Sequence, residues 1–197
     1  MVKLATKLES ARAQLQLKVT LQGIKPAIWR RLLVPANIKL PKFDAVLQHA
    51  FDWTNSHLHA FRIGEQSYEA YDPELWDDWP GGPEKLDESE FRLCDLLHAK
   101  GDRLTYLYDF GDGWRHDIRI EKILPVARPT PATCTAGERA APPEDCGGVP
   151  GYYHLVEAMA DPRHPDHRNL LEWLGDPYDP EAIDLNVINA RLKSVRV

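Results

Sequence analysis

The segment 103–121 most narrowly limits what this chain can fold into, because it alternates apolar and polar residues on both sides of a turn at 111–113. Successive side chains of a strand point to opposite faces, so a shift of one residue in the pairing would expose every buried side chain. A three-residue loop that pairs Tyr108 with His116 keeps the apolar side chains on one face, and its last glycine supplies the left-handed residue that such loops use. The pattern therefore predicts an antiparallel hairpin.

The two faces of this hairpin differ in their chemistry. Asp109 beside Arg115 and Arg103 beside Glu121 are expected as opposite-charge neighbours on the polar face, each stabilising by roughly 0.2–1 kcal/mol. His116 becomes a single imidazole among aromatic rings, either a neutral core histidine bonded to a tyrosine hydroxyl or backbone carbonyl, or a catalytic or ligand group. The predicted apolar face consists of Leu104, Tyr106, Tyr108, Phe110, Trp114, His116, Ile118 and Ile120.

Hydrophobic periodicity predicts further hairpins and helices in the rest of the chain. Segments 15–22 and 27–34 alternate in the manner of a second hairpin, and residues 58–69 in the manner of a strand pair around Gly64. Pro41 is expected at the first position of a helix, since proline already has the helical φ and lacks only an N–H that would be unpaired there.

The C-terminal third is predicted to be helical. It follows an excursion over 125–151 that is rich in proline and glycine and is therefore expected to be irregular. Asp179 is expected to cap the last helix. Together these elements predict an α+β fold, a mostly antiparallel sheet of hairpins with helices packed on one side, in a single domain over 15–193 after an N-terminal extension over 1–14.

Length, hydropathy and cysteine usage limit the class of protein. The 197 residues suit one domain. The sequence contains no run of about 18 apolar residues, so no membrane span is expected. The N-terminus lacks the apolar stretch of a secretory signal. Three cysteines (Cys94, Cys134 and Cys146) without a CxxC pair favour free thiols. A cytoplasmic location is expected.

Charge is distributed unevenly along the chain. Residues 1–50 carry nine Lys and Arg against two acids, whereas residues 65–95 carry eleven acids against two basic residues. The two segments either face each other, or form solvated surfaces, or bind partners of opposite charge. The candidate partner surface consists of Arg30, Arg31, Trp76 and Trp79.

Two segments have the residue types of a metal or binding site. His57 and His59 are two residues apart, so a strand would point both imidazoles to one face, although surface or capping histidines show the same spacing. The segment 142–148 places Glu144 and Asp145 before two glycines, as either a binding loop or a rigid cap for the next helix. The candidate ligands are His57, His59, His116, Cys134, Glu144, Asp145 and Cys146.

Four sequence blocks carry a family resemblance: IWRRLLVP at 28–35, FDWTNSHLHAF at 51–61, YLYDFGDGWRHDIRIE at 106–121 and PPEDCGG at 142–148. In order and spacing they resemble the plasmid pRiA4b ORF-3-like family, from about Leu15 to Leu192. The resemblance implies a small α+β domain found on plasmids and as a passenger of insertion elements, without an established activity, cofactor or catalytic residue. A resolvase-type label for such proteins finds no support here, because no serine lies among arginines.

Three functional hypotheses follow. The sequence favours a non-enzymatic module that binds a protein partner through Trp76 and Trp79 or through Arg30 and Arg31. The alternative is a metal-binding domain or metal-dependent hydrolase that uses a divalent ion at the candidate ligands. Nucleic-acid binding through the basic first fifty residues is less favoured, because the pI of the chain is about 5.7.

Overall fold

The computed structural model describes residues 12–72 and 84–195. Eight strands form one sheet in the order β5-β4-β3-β6-β7-β1-β2-β8. Neighbouring strands are antiparallel, except that β4 and β5 are parallel. The strands are β1 (Ala13–Leu21), β2 (Trp29–Pro35), β3 (His59–Ile63), β4 (Gln66–Glu69), β5 (Glu84–Asp87), β6 (Arg103–Tyr108), β7 (Trp114–Pro125) and β8 (Thr133–Glu138).

Helices fill the connections and most of the C-terminal third, so the predicted α+β class is confirmed. A single 3-10 turn, Glu88–Glu90, follows β5. The α-helices are α1 (Leu40–Phe51), α2 (Leu93–Leu96), α3 (Gly148–Ala160), α4 (His167–Leu174) and α5 (Leu185–Leu192).

The core lies between one face of the sheet and the helices. Leu17 and Val19 of β1 are fully buried, whereas Lys18 between them is only half-buried. Phe43 and Leu47 of α1 and Leu192 of α5 belong to the same buried cluster. Because each such side chain contributes about 1.5–3 kcal/mol on burial, this layer is the main source of stability.

The helix α1 places its C-terminal end beside the loops that carry most of the polar chemistry. It begins at Leu40, so Pro41 lies in its first turn as the second residue and not at the predicted first position. It ends at Asp52, whose φ of 61° is left-handed, and the N–H of Trp53 bonds to the carbonyl of Gln48 at 2.9 Å. This reversal returns the chain to the sheet at β3.

The hairpin of β6 and β7 is present, but its register differs from the prediction by two residues. Tyr108 pairs with Trp114, and Tyr106 pairs with His116. A shift of two leaves each side chain on its predicted face, so the apolar side is still buried. Phe110 is the exception, because it lies in a five-residue loop and is 47% exposed.

The expected charge pairs of this hairpin do not form in the observed register. Arg103 lies opposite Arg119 and contacts Asp117 at 3.4 Å. Glu121 bonds instead to Arg31 of β2 at 2.6 Å, across β1. Those two predicted pairs were wrong because they depended on the loop length.

Three further elements differ from the prediction. The strand β8 lies inside the segment expected to be irregular, and α3 begins at Gly148 within that same segment. The last helix begins at Leu185, capped by the Asp184 carboxylate, which accepts from the N–H groups of residues 186 and 187. Asp179 only closes a short turn, by accepting from the N–H of Glu181.

Two predictions concern residues in or next to the ranges that the structure does not describe. Trp76 and Trp79 lie outside the described residues. The strand β1 begins at Ala13, so two residues assigned to the N-terminal extension belong to the sheet. Among the described helices, none has both the length and the apolar character needed to cross a membrane.

Candidate metal centre

Three loops meet at the C-terminal end of α1: the loop after α1, the loop between β6 and β7, and the loop before α3. Trp53, 4% exposed, joins all three. Its ring stacks on Tyr108 at the end of β6, with ring centroids 4.9 Å apart. Its Nε1 donates to the carbonyl of Pro142 at 2.9 Å. The buried Trp53 indole therefore acts as a spacer between the end of β6 and the loop before α3.

His57 faces three carboxylates at this junction. Its Nε2 atom is 3.0 Å from Asp145 Oδ1, 3.8 Å from Asp109 Oδ2 and 4.0 Å from Glu144 Oε2. The ligand atoms of His57, Asp109 and Asp145 all lie within 4.8 Å of one another. Within residues 12–72 and 84–195, the ion pairs of these three carboxylates are all with this imidazole. Three negative charges thus face at most one positive charge.

Two of the carboxylates are held by one oxygen and present the other to His57. Asp109 Oδ1 accepts from the N–H groups of Gly111 and Asp112, at 2.8 and 3.2 Å. Its Oδ2 is the atom nearest to the imidazole. The first oxygen of this carboxylate therefore fixes where the second one points.

Glu144 repeats this arrangement from the opposite loop. Its Oε1 accepts from the Thr54 N–H at 2.8 Å, from the Thr54 hydroxyl at 3.1 Å and from the Tyr108 hydroxyl at 3.0 Å. Its Oε2 is buried and has no hydrogen-bond partner in the described part of the chain. Partners that orient ligands in this way are characteristic of metal sites.

The contact between His57 and Asp145 is close but does not have hydrogen-bond geometry. His57 Nε2 is a buried atom without a hydrogen-bond partner among the described residues, although the Asp145 oxygen is 3.0 Å away. Two ligands about 2.1 Å from a common ion lie about 3.0–3.4 Å apart when they subtend about 90–109°. The separation fits two ligands of one ion, for which no N–H needs to point at the oxygen.

Backbone conformation at the site is unusual for residues with side chains. Asp109 and Asp145 have φ values of 54° and 56°. Left-handed backbone at a residue other than glycine costs of order 1–3 kcal/mol, and it occurs most often at functional sites. The fold therefore holds two of the candidate ligands in conformations that the free chain disfavours.

Glycines allow the two acidic loops to dock backbone to backbone. The Gly147 N–H donates to Asp112 Oδ2 at 3.1 Å. A Cβ added to Gly148, whose φ is 66°, would lie 2.6 Å from the carbonyl oxygen of Asp112. A Cβ added to Gly151 would overlap the carbonyl oxygen of Cys146. Gly148 and Gly151 are thus the glycines that permit close backbone approach beside the site.

The neighbouring ionisable groups are neutral at physiological pH. Burial, the hydrogen bond to Glu144 and the charge of Glu144 all raise the pKa of Tyr108. Burial raises the pKa of the Cys146 thiol to about 12, with a further contribution from Asp112. The Cys146 sulfur is also absent from the group of ligand atoms around His57.

The structure separates His59 from His57, so the two predicted ligands do not share a site. His59 Nε2 is 2.8 Å from Glu88 Oε2, and its Nδ1 is 3.4 Å from Asp44 Oδ1. Burial opposes the charge of His59, but the hydrogen bond to Glu88 and the charge of Asp44 outweigh it and raise the pKa of the imidazole. Tyr106 donates to Asp44 at 2.5 Å and completes this buried network.

Two other predicted ligands lie in the core. His116 is fully buried, packs edge-on against Phe51 and Trp53, and has its Nδ1 3.3 Å from the carbonyl of Tyr106. Burial lowers the pKa of His116 to about 3, so it is the neutral core histidine that the sequence allowed. Cys134 is buried on β8, outside the cluster around His57. None of the three cysteines forms a disulfide within the described part of the chain, in agreement with the prediction of thiols.

The arginines expected at a partner surface are already engaged. Arg30 is only 3% exposed, and its guanidinium donates to the carbonyls of Ala50, Trp29 and Glu138. Burial lowers the pKa of Arg30 to about 10. Arg31 is bound by Glu121 on the outer face of the sheet. The prediction that Arg30 contributes to a partner surface was wrong, because its strand position points inward.

A second group of possible ligands lies between α3 and α4. His154 Nε2 is 3.2 Å from Asp166 Oδ2, and His164 completes the group. The side chains of His154 and Asp166 are 48% and 49% exposed. The backbone N–H of Asp166 already bonds to His164 Nδ1 at 3.1 Å, which leaves only the other ring nitrogen of His164 as a ligand.

The residue that sequence reasoning missed is Asp109. The predicted three-residue loop placed it on a strand beside Arg115, whereas it lies in the loop and turns inward with 6% exposure. Its signal was the spacing Asp-x-x-Asp-Gly across the turn, in which a first aspartate commonly accepts from the N–H groups that follow.

Comparison with known proteins agrees with the sequence blocks. The profile of the family described as plasmid pRiA4b ORF-3-like protein matches residues 13–187. The chain belongs to this family. The uncharacterized protein y4hQ of Sinorhizobium fredii (strain NBRC 101917 / NGR234) is 39% identical over 176 residues, which cover 88% of each protein. The four residues of the candidate centre lie within the matched range.

A solved structure from an archaeon has the same fold. It is the crystal structure of a protein of unknown function, MM3350 from Methanosarcina mazei Go1. It superposes with a TM-score of 0.75 at 37% sequence identity, and the match covers 89% of this chain and 96% of that chain. The pRiA4b ORF-3-like domain is thus nearly the whole of the described structure.

Proposed function

We propose that this domain binds a divalent metal ion at His57, Asp109 and Asp145, with Glu144 as a fourth ligand or as the acceptor for a bound water. The observation that supports the proposal most directly is the His57 Nε2 atom, which has no hydrogen bond within the described residues and yet faces three carboxylates at 3.0–4.0 Å. A divalent ion would balance this negative charge, since the Asp109 and Asp145 oxygens lie within 4.8 Å of each other and two carboxylates that close repel.

The ligand types limit the kind of ion. One imidazole nitrogen suits zinc, iron and copper, and several carboxylate oxygens suit manganese and magnesium. A mixed set of one nitrogen and two or three oxygens therefore favours Mn²⁺, Fe²⁺ or Zn²⁺ over Ca²⁺. Cys146 does not belong to the group of ligand atoms around His57, so this group contains no soft sulfur ligand that would favour copper.

The site is open enough to serve a reaction. The Asp145 side chain is 67% exposed, whereas His57 Nε2 and Glu144 Oε2 are buried, so solvent reaches the site from the side of Asp145. An ion held by these residues would polarise substrate oxygens, and Zn²⁺ there would lower the pKa of its bound water toward about 7. Hydrolysis is therefore the reaction class that we propose for this site.

The decisive measurement is the metal content of untagged protein purified without chelator. We expect about one equivalent of metal in the wild type. His57→Ala and Asp109→Asn should each weaken binding at least about a hundredfold, since even an outer-shell partner of a ligand contributes 10–100-fold. Asp109→Asn is the sharper variant, because an amide oxygen still accepts the Gly111 N–H that holds the loop.

His154→Ala is the matched control, because it removes a histidine from the second ligand group between α3 and α4. It should keep the metal and the wild-type affinity. Wild-type protein that remains metal-free at saturating Mn²⁺ and Zn²⁺ would contradict the proposal. Loss of the metal in His154→Ala but not in His57→Ala would assign the ion to the other group.

Hydrolytic activity is tested on the same proteins. Chromogenic phosphate and carboxylate esters are assayed before and after removal of metal and after its return. We expect turnover that follows metal content across the wild type, Asp109→Asn and His154→Ala. Metal binding without metal-dependent turnover would limit the role of the site to binding.

A further inference from the structure

A cavity of about 770 Å³ lies at the opposite end of α1 from the metal centre. It is formed by the end of β2, the start of α1, the segment before α2, the loop after β7 and the C-terminal end of α5. Since α1 has 12 residues, the two sites are separated by about 18 Å of helix. The charged residues that line the cavity are Lys39, Lys42, Arg92, Arg128 and Lys193.

The five cations line the cavity without a carboxylate among them. In the described ranges, none of the five forms an ion pair. The whole chain carries a formal net charge of −6, so this concentration of positive charge is opposite to the general trend. Uncompensated cations around a concave surface focus the field and attract anions.

Two of the cations are held in place by backbone carbonyls. The Lys39 ammonium donates to the carbonyl of Ser89 at 2.8 Å. The Arg92 guanidinium donates to the carbonyl of Asn37 at 2.6 Å. An ammonium has three N–H donors and a guanidinium has five, so both groups keep donors for a ligand.

The side chains, and not the helix terminus, supply the binding groups. The N–H of Leu40 at the start of α1 bonds to the carbonyl of Phe91 at 3.2 Å. The next residue is a proline, and the N–H groups of Lys42 and Phe43 both bond to the carbonyl of Lys39. The first turn of α1 therefore has no free donor to aim into the cavity.

We propose that this cavity binds a small polyphosphate, either inorganic or carried by a nucleotide. Its volume lies within the range of small-molecule sites, about 300–1,000 Å³. A terminal phosphate carries roughly 1.5–2 negative charges and each linked phosphate adds about one more, so a polyphosphate is a compact polyanion that matches several cations around one space. Ile38, Pro131 and Val195 add apolar wall for an organic group. This proposal does not rest on the metal centre.

Calorimetric titration of the Asp109→Asn variant tests the proposal without interference from the other site. The probes are orthophosphate, pyrophosphate, tripolyphosphate, ATP and adenosine at low ionic strength. We expect saturable one-to-one binding whose affinity rises with the number of phosphates and falls with added salt. Equal affinity for ATP and tripolyphosphate would indicate an inorganic ligand, and tighter binding of ATP would indicate a nucleotide.

Charge reversal at the rim identifies the residues. Lys42→Glu and Arg128→Glu, both at exposed positions, should each weaken tripolyphosphate binding at least about tenfold, the equivalent of one lost charge-assisted hydrogen bond. Arg119→Glu is the matched control, because it makes the same change of charge at an exposed position of β7. It should bind as the wild type does.

Three results would overturn the proposal. The first is the absence of saturable binding at millimolar tripolyphosphate. The second is an equal loss of affinity in Arg119→Glu, which would show that the anion responds to the overall charge of the protein and not to the residues of the cavity. The third is tighter binding of a single-stranded oligonucleotide than of tripolyphosphate, with the oligonucleotide affinity dependent on Lys42 and Arg128. That result would make the cavity part of a nucleic-acid surface.

Discussion

At the scale of single residues, the candidate metal centre depends on backbone conformations that most side chains avoid. Asp109 and Asp145 are left-handed, and Gly148 is left-handed at a place where another backbone approaches. The approach brings Asp112 of the β6–β7 loop against the loop before α3. Close contact of the two backbones is therefore what brings carboxylates from distant parts of the chain together.

Gly148→Ala is expected to destabilise the protein more than a glycine substitution that adds strain alone. Gly175 has a φ of 81° with nothing within 4 Å of an added Cβ, so Gly175→Ala should cost about 1 kcal/mol. Gly148→Ala adds a contact of 2.6 Å to the Asp112 carbonyl and should cost at least about 2–3 kcal/mol. Urea unfolding measures both, and equal losses of stability would contradict this account of the loop contact.

At the scale of elements, a buried network ties α1 to the sheet. His59 at the start of β3 lies between Asp44 of α1 and Glu88 of the 3-10 turn after β5. Asp44 and Glu88 are each 3% exposed. Removing one partner from buried charges leaves the others uncompensated, at a cost of about 3–5 kcal/mol. The His59 imidazole therefore links three elements that are distant in sequence.

The free energy of unfolding should fall as the pH rises above neutrality. The pKa of folded His59 is raised from 6.5 by Glu88 and Asp44, in spite of burial. The contribution of His59 to the free energy of unfolding is complete below the pKa of histidine in the unfolded chain. It is lost as the pH rises through the pKa of His59 in the folded protein. We expect His59→Gln to have lower stability at pH 6 and a flatter pH dependence between pH 6 and 9.

His154→Gln is the control for that measurement, because His154 is half exposed and belongs to a different cluster. Denaturant titrations at each pH should give it the wild-type profile. A pH dependence in His59→Gln as steep as that of the wild type would exclude His59 as its source.

At the scale of the whole molecule, α1 separates two sites of opposite charge preference. Its C-terminal end faces the carboxylates around His57, which suit a cation. Its N-terminal end faces five basic side chains, which suit an anion. Sites more than about 7–10 Å apart without shared partners behave independently.

Variants at the two ends of α1 are therefore expected to act additively. Asp109→Asn should leave tripolyphosphate affinity unchanged, and Lys42→Glu should leave metal affinity unchanged. The double variant should show the sum of the single effects within about 0.5 kcal/mol. Calorimetry on the four proteins measures this, and a larger coupling would show that the ends of α1 communicate.

Much of the fold followed from local patterns. Alternation in β1, β6 and β7 predicted their buried faces, since the period of two holds even when the register moves by two residues. Proline placement predicted the start of α1 to within one residue. The register itself, the strand β8 and the start of α5 were not predicted, because loop length and edge pairing depend on contacts with distant residues.

The residues of the candidate site also fall into those that the sequence identified and those that only the structure revealed. The sequence by itself identified His57, Glu144 and Asp145 as chemical groups worth attention, because their residue types and the neighbouring glycines are local properties. Only the tertiary structure decided that Asp109 joins them, that His59 belongs to another network and that Arg30 is buried. The physical reason is that the chemistry of a carboxylate depends on the groups within a few ångströms of it. Here those groups come from loops separated by up to about ninety residues of chain.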